Sequence, residues 1–94
     1  MVQKRGSPTV AEAEAIAIDA LGWLASEPEA LGRFLALSGI DEKSLRSAAA
    51  DSAFLGGILD YFVSEEALLI SYATSSGSKP EHVVAARRVL GSED

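Results

Sequence analysis

Cysteine is absent from this chain. That removes disulfides, thiolate catalysis and cysteine-based metal sites; acidic residues at 12, 14 and 19 interrupt any signal-peptide core near the start, so a bacterial-type cytoplasmic setting is expected. Histidine occurs once, as His82. A general base there needs an orienting partner, and none is identifiable, so His82 reads as an exposed residue near a helix start. Basic residues are scarce: 8 against 14 acidic, for a net charge of −6. Lys4 and Arg5 sit near the start, and Arg87-Arg88 is the sole adjacent basic pair after them. A body this acidic repels phosphate backbones, so no nucleic-acid partner is expected. No apolar run approaches the roughly 20 residues that span a bilayer, and no helix carries a basic polar face suited to a membrane surface. Paired histidines, a calcium-type loop and a phosphate-binding glycine loop are all missing, so no metal or cofactor is expected.

What is present is helical in pattern. Hydrophobic residues make up 48% of the 94-residue chain, too many for a disordered one. The densest apolar run is Phe54-Leu55-Gly56-Gly57-Ile58-Leu59-Asp60-Tyr61-Phe62-Val63. Its large side chains cover so wide an arc that this helix is expected to be buried on several sides. Around it, shorter amphipathic segments are marked off by caps and stops. Thr9 and Glu12 form a capping-box pattern ahead of a helix over 10–25, with Val10, Ala13, Ile16, Ala17, Ala20, Leu21 and Leu24 on one face. Pro28 opens a second helix carrying Leu31, Phe34, Leu35 and Leu37, and Gly39 closes it. Asp41 caps a short third helix over 42–49, and Asp51 caps the central one. Ser64 is read as the start of a fifth helix, which Gly77 ends. Its Glu65-Glu66 pair complements a helix dipole rather than forming a catalytic carboxylate pair. Pro80 opens the last helix, which Gly91 ends. No strand alternation, fixed-period repeat or sustained heptad is visible. The expected architecture is all-α: a compact orthogonal bundle of five to six short helices in a single domain over 9–91. A disordered basic tail at 1–8 precedes it, and a frayed end at 92–94 follows.

Three segments stand in a recognisable order: Leu31 to Gly39, LGRFLALSG, of the pattern L-x-R-F-L-A-L-[ST]-G; Ala53 to Asp60, AFLGGILD; and Glu66 to Leu69, EALL. In these the chain resembles a family of small all-helical alphaproteobacterial proteins classed as a domain of unknown function, over about Thr9 to Leu90. The resemblance implies a standalone cytosolic helical domain. The family carries no assigned activity, so no catalytic residue transfers.

The remaining candidates are surface residues. Ile18 falls off the main apolar face of the first helix, by roughly 60° at about 100° per residue, and Trp23 lies at that face's edge. Ile70 is displaced in the same way on the fifth helix. Such positions are either sandwiched between neighbours or exposed for association. Arg33, set among apolar residues, either pairs with Asp60 or is presented to a partner. The expected function is therefore a cytoplasmic protein–protein interaction or self-association module without catalysis, using Ile18, Trp23 and Arg33. Its partner is a second copy or another protein. The alternative is a small ligand-binding or enzymatic domain with a pocket between helices.

Overall fold

Three helices make the framework of this computed structural model, which describes residues 8–91. They are α1 (Val10–Ala25), α4 (Ser52–Ser64) and α6 (Pro80–Gly91), each packed against the other two. Between them run α2 (Pro28–Ser38), a 3-10 turn (Glu42–Ser44) continued by the single turn α3 (Leu45–Ala48), and α5 (Glu66–Ser76). No strand occurs among the described residues. The tail expected at 1–8, apart from Pro8, and the end expected to fray at 92–94 lie outside the described residues.

The boundaries follow local chemistry. The Thr9 hydroxyl accepts from the Glu12 amide at 3.0 Å, and the Glu12 carboxylate accepts from the Thr9 amide at 2.9 Å. Two otherwise orphaned donors are thereby satisfied. The Asp41 carboxylate accepts from the Ser44 amide at 3.1 Å, and that of Asp51 from the Ala53 amide at 3.0 Å. Gly39 and Gly77 stop α2 and α5 at φ of 76° and 74°, a left-handed conformation that costs other residues strain. Ser64 departs from its expected role. It is the last residue of α4, and its hydroxyl donates back to the Tyr61 carbonyl at 2.9 Å; Glu65 takes the cap position of α5 without a side-chain hydrogen bond.

Helix α4 is central, as its wide apolar arc requires. Ile58, Leu59 and Phe62 are fully buried, with Leu55 nearly so. From α1 come Ala13, Ala17, Ala20, Leu21 and Leu24, and from α6 Val83 and Ala86. Every aromatic ring of the chain joins one connected set. Trp23, Phe62 and Tyr72 contact one another with centroids 5.5 to 6.0 Å apart. Tyr61 links Phe62 to Phe34, and Phe34 reaches Phe54. This set ties α1, α2, α4 and α5 together.

Two apolar positions expected in the core lie outside it. Val10 is 56% exposed and Leu37 is 69% exposed. Val10 is the first residue of α1; Leu37 stands near the end of α2 and, at about 100° per residue, is turned about 120° from the buried Leu31, off the packed face. The Gly56-Gly57 pair resolves into two cases. A Cβ on Gly56 meets the Leu90 backbone oxygen of α6 at 3.5 Å, so a neighbouring backbone does pass there, at ordinary contact distance; Gly57 faces open space.

Candidate functional site

The outward side of α1 carries an apolar stripe that its buried face does not explain. Ala11, Ala15, Ile18, Gly22 and Ala25 are all exposed and recur at alternating steps of four and three, the spacing that places residues along one side of a helix. Ile18, half exposed at 50%, stands at the centre, seven residues from either end. Two shallow grooves flank it. One, of about 580 Å³, lies between α1 and the 3-10 turn and is lined by Leu21, Gly22, Ala25, Leu45 and the charged Glu42, Lys43 and Arg46. The other, of about 440 Å³, runs towards α5 and is lined by Asp19, Trp23, Tyr72, Ser75 and Ser76. Ile18 lines both.

Trp23 thus shares a groove with Ile18, as expected, but it is partly buried and its ring packs against the core, set against Phe62 and Tyr72. Arg33 is exposed on α2 and lines neither groove. Nor does it pair with Asp60. That carboxylate accepts from the Arg87 Nε at 2.7 Å, bridging α4 to α6 on the surface. The physical reason is register. Helices α2 and α4 meet through Phe34 and Tyr61, 5.2 Å between centroids, which are the residues immediately after Arg33 and Asp60. One residue is about 100° of helix rotation, so Arg33 and Asp60 both turn away from that contact. The Asp60–Arg87 pair borders a further open groove of about 580 Å³ between α4 and α6, with Ala53, Gly56, Gly57, Arg88, Leu90 and Gly91.

One link was missed by sequence reasoning. The Tyr72 hydroxyl donates to the Asp19 carboxylate at 2.6 Å, joining α5 to α1. Asp19 lies on the polar stripe of α1, and nothing in the sequence says that a tyrosine 53 residues on will reach it. Burial pushes the Tyr72 hydroxyl well above the ordinary tyrosine range; the hydrogen bond to Asp19 and the charge of Asp19 add to this, and Ser76 opposes it. The folded state therefore holds this proton more tightly than the unfolded chain. Its contribution is complete below the unfolded pKa of about 10 and is lost as pH rises from there towards the folded value. Tyr72→Phe is expected to cost about 1 kcal/mol near neutrality, the net worth of one hydrogen bond. It is also expected to flatten the loss of stability above about pH 10, since phenylalanine has no proton to lose. Urea titrations of both proteins at several alkaline pH values check this; parallel pH dependences exclude it.

Among the described residues no cluster of acidic and histidine side chains is arranged to hold a metal ion, and no helix is long and apolar enough to cross a membrane. The family model described as "Protein of unknown function (DUF3572)" matches residues 10–93, almost the whole chain. The chain belongs to this family. The DUF3572 match takes in α1 to α6, so the stripe, its flanking grooves and the Tyr72–Asp19 bond all fall within the family region. No curated protein and no solved structure matches this DUF3572 chain.

Proposed function

We propose that this protein is a non-catalytic, cytoplasmic self-association module whose contact surface is the outward face of α1. The observation that carries this reading is Ile18: a half-exposed branched side chain at the centre of a stripe in which every other residue is alanine or glycine. Small residues let a second helix approach closely, and one large side chain between them gives it something to bury.

Gly22 adds support. Within a helix, glycine is about 1 kcal/mol less favourable than alanine, and a Cβ at Gly22 meets nothing within 4 Å. Gly32, Gly57 and Gly91 share this freedom, but Gly22 alone of the four lies in the stripe beside Ile18. The fold of one copy does not call for glycine there, whereas close approach by another helix does.

Ligand binding, the alternative, has its best place in the α4–α6 groove. That groove is open, and Arg87 on its wall is already engaged by Asp60.

The test is Ile18→Lys, followed by light scattering and thermal melting. The expected result is a dimeric wild type and a monomeric variant that still melts cooperatively, because a half-exposed site accommodates a lysine with little loss of stability. A wild type that stays monomeric at high concentration overturns self-association. Unfolding of the variant places Ile18 in the core and overturns its role as a contact residue.

A further inference from the structure

The charges beside the stripe define how two copies would meet, and this inference rests on the self-association reading above. We infer that the dimer is antiparallel, with a two-fold axis at Ile18 and Glu14 of each copy docked against Lys43 and Arg46 of the other.

Glu14 stands seven residues before Leu21, so both lie on the same edge of α1, two turns apart. Leu21 lines the groove whose far wall carries Lys43 and Arg46. One edge of the stripe is therefore acidic beside its N-terminal half and basic beside its C-terminal half. Glu42 also lines that groove and reduces its positive charge without cancelling it. Glu14 is half-buried, whereas Lys43 and Arg46 are exposed, and none of the three forms an ion pair among the described residues.

A two-fold axis perpendicular to α1 and lying in the contact plane through Ile18 reverses the helix direction and keeps each edge facing its own counterpart. The acidic half of that edge then meets the basic half of the second copy, and the contact occurs twice, as an isologous interface requires. Ile18 meets Ile18, Ala11 falls opposite Ala25, and Ala15 falls opposite Gly22, so small residues face small residues on both sides of the central pair. A parallel pairing has its two-fold axis along the helices and sets each edge against the other edge of the second copy, so Glu14 faces the side that carries Glu12 and Asp19 rather than the basic groove wall, which electrostatic complementarity disfavours. On the other edge Asp19 is already turned to the Tyr72 hydroxyl.

The absence of native cysteine makes the register directly measurable. Ala11→Cys and Ala25→Cys, both at exposed positions, are prepared separately and oxidised alone or mixed. The expected result is a disulfide-linked dimer in the mixture, with little linkage in either variant alone. Linkage of each variant to itself, without linkage in the mixture, overturns the antiparallel register.

Charge reversal provides the second arm. Glu14→Lys is expected to weaken dimerisation about tenfold or more, as a contact made twice implies, and Lys43→Glu with Arg46→Glu in the same chain is expected to restore it. If Glu14→Lys leaves the dimer unaffected while Ile18→Lys abolishes it, the charge pairing is wrong and the self-association reading stands. A monomeric wild type sinks both.

Discussion

Phe62→Ala is expected to leave the domain unfolded or barely folded. Phe62 is fully buried in α4, the helix that packs against both α1 and α6. Its ring contacts Trp23 of α1 at 6.0 Å, Tyr72 of α5 at 5.5 Å and Tyr61 of its own helix at 6.4 Å. Truncating a buried phenylalanine typically costs about 3–5 kcal/mol, from lost transfer energy together with the cavity left behind. The tilted contact with Trp23 and the edge-on contacts with Tyr61 and Tyr72, each worth about 0.5–1.5 kcal/mol beyond buried area, place the cost in the upper part of that range. A domain of this length has a stability near the lower end of roughly 5–15 kcal/mol, so the single change removes most of it. Urea denaturation followed by circular dichroism gives the answer. A loss under about 1 kcal/mol is incompatible with the ring's place at the junction of these helices.

Ala17→Leu is expected to destabilise by about 1–3 kcal/mol, the usual range for forcing extra methylenes into a packed core. On helix propensity alone the exchange is close to neutral, since alanine and leucine are both strong helix formers. In the fold, however, Ala13, Ala17 and Ala20 are fully buried where α1 packs against α4 and α6. Small side chains on that face set the distance between helices, and a leucine must either push them apart or adopt a strained rotamer. Ala15→Leu is the control: it lies on the exposed stripe of the same helix, and the same substitution there is expected to leave the monomer's stability within about 0.5 kcal/mol. Equal melting temperatures for the two variants would show that Ala17 is not tightly packed.

Within α1, alanines at 13 and 17 and alanines at 11 and 15 are indistinguishable as residues, yet the first pair is buried and the second exposed. Periodicity assigned the buried face correctly from Ala13 to Leu24. It gave no weight to the second stripe, because alanine and glycine barely register as hydrophobic in a pattern. Only the large Ile18 drew attention to that side. Val10 and Leu37 show the opposite error: Val10 lies on the apolar side but at the first residue of its helix, and Leu37 is apolar yet turned about 120° from Leu31.

What the sequence determined by itself was the local structure. Caps at Thr9, Asp41 and Asp51, stops at Gly39 and Gly77, and prolines at helix starts act through backbone groups a few residues away, so a short window contains all the information. The central burial of α4 was legible for a related reason: an apolar arc that wide has no stable exposed side. Tertiary structure alone decided which charges and rings meet. Asp60 found Arg87 rather than Arg33, and Tyr72 found Asp19, because one residue of helix register turns a side chain by about 100°. That register is set jointly by every packed side chain in the core, which no local window of sequence contains.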